Sequence, residues 1–183
     1  MTRILGIAGS LRAQSYNLAL LHAAQGLALA DVTLDVATLH GIPLYDGDAE
    51  QAHGLPEAVV ALQQRILESD GVLLATPEYN NGVPGVLKNA IDWLSRPADM
   101  GGKVFGGRAF AVVGASPGGF GTILAQNAWL PVLRTLGTRQ WAGGRLLVSH
   151  AHQVFDAQGV LQDEGVRKQL EGFVRGFAAF AKP

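Results

Sequence analysis

Three short stretches of this chain combine residue types able to hold a ligand, and each follows an apolar run of strand length. The first reads Gly9-Ser10-Leu11-Arg12-Ala13-Gln14-Ser15-Tyr16-Asn17 and sets two hydroxyls, a guanidinium and a side-chain amide where a helix begins. A helix amino terminus offers unpaired N–H groups and partial positive charge, and arginine and serine add donors, so the combination suits a phosphate dianion. The plainer alternative makes Ser15 or Asn17 an ordinary N-cap and Arg12 a solvated surface group. The stretch contains neither Gly-x-x-x-x-Gly-Lys-Ser/Thr nor a full Gly-x-Gly-x-x-Gly, so neither a nucleoside triphosphate nor a Rossmann-bound dinucleotide is indicated.

The second stretch is Thr76-Pro77-Glu78-Tyr79-Asn80-Asn81-Gly82-Val83-Pro84-Gly85, polar and pinned by two prolines. Its amides and carbonyls suit the donor and acceptor edge of a heteroaromatic ring, and the Asn80 side chain offers both functions. Alternatively Pro77, Gly82 and Pro84 only shape a turn. The third stretch, Gly114-Ala115-Ser116-Pro117-Gly118-Gly119-Phe120-Gly121-Thr122, has glycines that let backbone approach a flat ligand, although a tight strand-to-helix turn needs some of them anyway.

The elements that must carry these loops follow from apolar periodicity. Strands are expected at Ile4 to Ala8, Thr33 to Ala37, Gly71 to Thr76, Ala109 to Gly114 and Leu146 to Ser149. Helices are expected from Asn17 to Ala28, Pro56 to Ser69, Pro84 to Leu94, Gly121 to Leu136 and Glu164 to Phe180. The alternation predicts an α/β fold, a five-stranded parallel sheet with helices on both faces, in which ligands settle outside the carboxyl ends of the strands. His40 to Gly54 and Arg96 to Gly107 read as surface loops. Trp93 and Trp129 fall on helices, at positions that fit either core or subunit contact, and Pro131 predicts a kink or an apolar face for a partner.

Composition bounds the function. With 183 residues, 48% of them hydrophobic, residues 1–183 are expected to form a single domain. Lysine plus arginine, 14, nearly cancels aspartate plus glutamate, 15, so no net field recruits nucleic acid or an anionic membrane. Cysteine is absent, which excludes disulfides, thiolate metal sites and thiol nucleophiles. The opening residues show no leader pattern and no stretch reaches a membrane span, so a cytoplasmic location is expected.

Two other chemistries are weakly encoded. Gly114-Ala115-Ser116-Pro117-Gly118 matches the Gly-x-Ser-x-Gly of serine hydrolases, with His150 and His152 following. Pro117, however, has no N–H for an oxyanion, and no acidic residue lies between Ser116 and His150. A metal site would draw on His150 and His152, alternating on one strand face, and Asp156, but the set lacks a further ligand at fixed spacing, so no metal is expected.

The three loops together resemble the NADPH-dependent FMN reductase family, which also includes chromate, quinone and azo-dye reductases. The resemblance rests on Gly9-Ser-Leu-Arg-x-x-Ser-x-Asn17, on Pro77-Glu-Tyr-Asn-x-Gly-x-Pro-Gly-x-Leu-Lys-Asn-Ala-Ile-Asp-Trp93, and on Ser116-Pro-Gly-Gly-x-Gly121. It implies a flavodoxin-like three-layer sandwich. It implies FMN with its phosphate among Ser10, Arg12, Ser15 and Asn17, its ring along Pro77, Glu78, Tyr79 and Asn80, and Ser116, Gly118 and Gly119 near the ring or ribityl chain. The implied activity is ping-pong hydride transfer from NADPH (or NADH) to a small-molecule electron acceptor, with the cofactor rather than a protein residue accepting the hydride. No catalytic residue is assigned; Glu78 reads either as a proton donor or as a carboxylate that orders its own loop. A homodimer or homotetramer is implied as well. A one-electron carrier shares the implied fold, but carriers of that kind are strongly acidic and sandwich their flavin between aromatics, whereas this chain is near neutral and offers Phe120 alone in its third loop.

Overall fold

The computed structural model describes residues 1–27 and 29–182. Its strands are β1 (Thr2–Ala8), β2 (Val32–Ala37), β3 (Gly71–Ala75), β4 (Ala109–Ala115), β5 (Arg139–Gln140) and β6 (Leu147–Val148). Its helices are α1 (Tyr16–Gln25), α2 (Gly47–His53), α3 (Glu57–Leu67), α4 (Gly85–Leu94), α5 (Ala98–Phe105), α6 (Ile123–Thr135), α7 (Ala151–Val154) and α8 (Glu164–Ala181). Ala28, the expected end of the first helix, lies outside the described residues, as does Pro183.

The strands are parallel and ordered β2-β1-β3-β4-β5, with β6 also on β4. Side chains of a strand alternate between faces, so a strand buried on both sides must be apolar throughout. In β3 every residue is buried: Leu73 and Ala75 meet the layer of α1 and α8, while Val72 and Leu74 meet α3, α4, α5 and α6. The two layers supply the large apolar side chains that close the sandwich, among them Leu20, Leu21 and Phe177 on one side and Trp93, Phe105 and Trp129 on the other.

The structure corrects the sequence reading in two respects, the fifth strand and two loops, and decides the place of the tryptophans. The expected strand at Leu146 to Ser149 is the upper half of a split fifth strand: β5 pairs with the base of β4 (Ala109↔Arg139) and β6 with its top (Gly114↔Leu147). Between the halves lie Gly143 and Gly144, and Trp141 packs edge-on to Phe173 of α8 (4.6 Å between ring centroids). The two expected loops each contain a helix, α2 and α5. Both tryptophans are core: Trp129 has no exposed surface, and α6 continues through Pro131 to Thr135.

Candidate functional site

Strand order reverses between β1 and β3, and the loops after these strands flank the crevice there. Gly9 joins the two strand ends, its N–H donating to the Ala75 carbonyl (2.9 Å). The Ser10 hydroxyl is buried, lies 3.3 Å from the Tyr79 hydroxyl and accepts the Arg12 N–H (3.3 Å). Ser15 is the N-cap of α1, its Oγ accepting the Leu18 N–H (3.3 Å). The N–H groups of Tyr16 and Asn17 have no acceptor among the described residues. The Arg12 side chain is exposed and forms no ion pair among them. Two hydroxyls, free amides and an uncommitted guanidinium, with no carboxylate in the loop, form a donor set that fits a phosphate.

Asn17 sits in the first turn of α1 and has a structural partner that its sequence position does not announce. Its side chain is buried and bonds at both ends to Ala115, Nδ2 donating to the carbonyl and Oδ1 accepting the N–H, each at 2.9 Å. Its backbone N–H and the second Nδ2 hydrogen have no acceptor among the described residues. The same loop also borders a groove of about 470 Å³, where Arg12, Gln14 and Ser15 face the segment around Asp156 to Leu161 and Arg167. No residue of the other two loops lines that groove.

The second loop is a tight hairpin. Tyr79 and Gly82 exchange backbone hydrogen bonds (3.1 and 3.0 Å), and Asn80 and Asn81 between them have φ of 50° and 60°. Two consecutive left-handed residues mark a type I′ turn, which asparagine tolerates better than most residues. Pro77 is buried beneath; Tyr79 and Asn80 are exposed, and the Asn80 N–H has no acceptor among the described residues. Glu78 faces elsewhere: its Oε2 accepts the N–H groups of Leu124 (2.9 Å) and Ala125 (3.0 Å) at the start of α6.

The third loop is pinned from below. Ser116 donates its N–H to Val148 (2.9 Å) and its carbonyl accepts from Ala151 (3.0 Å), while the Gly118 carbonyl accepts from His150 (3.1 Å). Gly114 leads into it through a gap only glycine fits: a Cβ there would overlap the Thr122 side chain and sit 2.5 Å from the Thr76 carbonyl oxygen. The N–H groups of Gly118 and Gly119 have no acceptor among the described residues, and Phe120 beside them is 74% exposed. The Ser116 hydroxyl donates to the Gly118 carbonyl (3.4 Å) and forms no hydrogen bond with His150, so the pairing a serine nucleophile requires is not formed. His150 and His152 do not alternate on a strand: His150 (φ 48°) precedes the short α7 and His152 lies within it, their rings 6.2 Å apart.

Sequence reasoning missed a polar cluster that straps the segment after β2 onto α4. Arg96 Nε donates to both carboxylate oxygens of Glu50 (3.1 and 3.0 Å), and the Tyr45 hydroxyl donates to Oε2 (2.9 Å). Asn89 and Trp93 both donate to the Pro43 carbonyl (2.8 and 2.9 Å). The Arg96 hydrogen bond holds the Glu50 carboxyl below the usual carboxylate range against the opposing effect of desolvation, and the Tyr45 bond adds to it. The signal was present in Asp46, an N-cap residue followed by acidic residues in the first turn of α2.

A 2-1-3-4-5 parallel sheet with an anion-donor loop at its switch point and unpartnered amides on the two neighbouring loops defines a flavodoxin-like nucleotide-binding protein. The NADPH-dependent FMN reductase family model matches residues 2–153. A 2-hydroxy-1,4-benzoquinone reductase of Burkholderia sp. is 38% identical over 180 residues, 98% of this chain and 96% of the relative. An NAD(P)H-dependent FMN reductase of Pseudomonas aeruginosa is 43% identical over 169 residues, 92% and 89% of the two chains. The solved structure of FerB, a flavoenzyme NAD(P)H:(acceptor) oxidoreductase from Paracoccus denitrificans, superposes with a TM-score of 0.87 at 34% identity, covering 99% of this chain and 97% of that one. The chain belongs to the NADPH-dependent FMN reductase family and is an FMN-dependent NAD(P)H oxidoreductase.

Proposed function

We propose that this protein is a quinone reductase that keeps FMN in the crevice between β1 and β3, and that NADPH or NADH and then the quinone use the same opening in turn. The observation that carries this reading is the set of donors without an acceptor among the described residues on the three loops at the carboxyl ends of β1, β3 and β4: Arg12 and the Tyr16 and Asn17 N–H groups on the first loop, Asn80 on the second, Gly118 and Gly119 on the third. The chemistry FMN supplies when bound is transfer of a hydride equivalent from the reduced nicotinamide to the acceptor. The chain's own contribution is binding and electrostatics. Ser10, Arg12, Ser15 and the amides of α1 would neutralise the phosphate, Pro77, Tyr79 and Asn80 would line the ring, and the Gly118 and Gly119 amides would stabilise negative charge beside it. Quinone as the acceptor class draws on the quinone reductases among the relatives.

A homodimer or homotetramer and a cytoplasmic location belong to the same proposal. No described helix is long and apolar enough to cross a membrane.

The test is the visible spectrum of freshly purified protein, recorded before and after anaerobic NADPH and again after a quinone is added. Flavin bands that bleach with NADPH and return with quinone are expected. A colourless protein that takes up no added FMN would refute the reading. Light scattering that finds only monomer would remove the oligomer.

A further inference from the structure

Glu78 belongs to the second loop, yet its carboxylate serves the helix that follows the third. Its Oε2 accepts the N–H groups of Leu124 (2.9 Å) and Ala125 (3.0 Å). These are first-turn donors that α6 leaves without an intrahelical partner, and the helix's own N-cap, Thr122, sits at φ 69° with no side-chain cap bond. One helical turn on, Trp129 donates its indole N–H to the buried Thr76 hydroxyl (3.0 Å). The exit of β3 and the start of α6 are therefore fastened at two points a turn apart.

We propose that Glu78 is a positioning residue: a strut that fixes the spacing between the second loop (76–83) and the third loop (116–122), and with it the width of the flavin slot. The inference rests on the flavin reading of that slot given above. A carboxylate facing a helix amino end is favoured by the dipole, and its hydrogen bonds to amides are stronger than neutral ones. Both hydrogen bonds fall on the single oxygen Oε2, so the contact to the helix runs through one acceptor atom. What the strut needs is reach and an acceptor. Aspartate keeps the charge but is one methylene too short, whereas glutamine keeps the reach and still offers a carbonyl oxygen.

The experiment titrates FMN into apoprotein of the wild type, E78D, E78Q and E78A, followed by flavin fluorescence, with the pH profile of kcat for those that bind. The expected result is FMN affinity weakened about tenfold in E78D and E78A, the loss of roughly one charged hydrogen bond, and restored to within about threefold of wild type in E78Q. The E78Q pH profile keeps the wild-type shape. Should E78A not fold, E78D against E78Q still decides. Wild-type affinity in all variants overturns the proposal, as does wild-type behaviour of E78D with loss in E78Q, because charge rather than reach would then matter. Loss of one limb of the E78Q pH profile would assign the residue to proton transfer instead. A wild type that binds no FMN removes the slot itself, an outcome seen before any variant is compared.

Discussion

Asn17 and Ala115 are 98 residues apart in sequence and share a closed pair of hydrogen bonds, the side-chain amide of one reading the backbone N–H and C=O of the other at 2.9 Å each. The pair stands where the ladder runs out: β3 and β4 pair as far as Ala75↔Val113, the Thr76 N–H adds one bond to the Val113 carbonyl (2.9 Å), and Ala115 at the top of β4 finds its partner in the Asn17 side chain of α1. The first loop and the third are thereby held to one another directly.

Asn17→Ala should lower unfolding free energy by about 2–4 kcal/mol, because it leaves two buried backbone groups unsatisfied. Asn17→Asp should cost at least as much, since a carboxylate cannot donate to the Ala115 carbonyl. Urea denaturation reads both; a loss below about 0.5 kcal/mol, within the range of ordinary surface substitutions, would show that water replaces the pair.

Arg12 presents the opposite case. Its guanidinium is exposed and forms no ion pair among the described residues, so Arg12→Ala should leave the urea midpoint unchanged. FMN affinity should fall by about 1.5–3 kcal/mol, roughly 10- to 100-fold, if the side chain meets the phosphate. Unchanged FMN affinity in a titration would remove it from the site.

Asn80 needs a variant that spares the turn. At φ 50° alanine adds strain of about 1 kcal/mol that glycine does not. Asn80→Gly should therefore unfold at higher urea than Asn80→Ala, while both weaken flavin affinity or shift its reduction potential alike. If Asn80→Gly matches wild type in both affinity and potential, the side chain does not touch the ring.

The Glu50 strap gives a pH dependence whose sign is set by its lowered pKa. A carboxyl that ionises more readily folded than unfolded stabilises the fold above its unfolded pKa, and that contribution is lost as pH falls through the folded value. Thermal unfolding of wild type and Glu50→Gln should thus differ fully at pH 7. The gap should narrow below about pH 4.3, the ordinary glutamate value, and close at lower pH. A gap that persists unchanged into strong acid would mean that packing, rather than ionisation, carries it.

How far the sequence could be read depends on where each element draws its stability. The strands β1, β3 and β4 are buried on both faces, so their own composition declares them. Helix α5 does not: Gly101 and Gly102 suggest a loop, and the helix exists because Gly101 packs against the Ser95 backbone, where a Cβ would come within 2.5 Å of the carbonyl oxygen, while Val104 and Phe105 fill the core. Helix α2 buries no residue and depends on the Asp46 cap. In the site, residue types were legible but partners were not. The expected helix-start position of Ser15 follows from local capping. The commitment of Asn17 to Ala115 and of Glu78 to α6 joins residues 98 and about 46 apart, and no local pattern announces such a pair.

The split of the fifth strand also bears on how the molecule meets its neighbours. A sheet edge is a row of unpaired amides and carbonyls onto which another chain can stack. Here that edge is broken into two pieces of two residues each, with the chain turning away between them and Arg139 and Arg145 adding charge. Neither piece is long enough to template a foreign strand. Mutations that replaced Gly143 and Gly144 with β-branched residues and straightened this segment would be expected to lengthen the edge and favour aggregation, and to strain the third loop, whose Ser116 N–H is held by Val148.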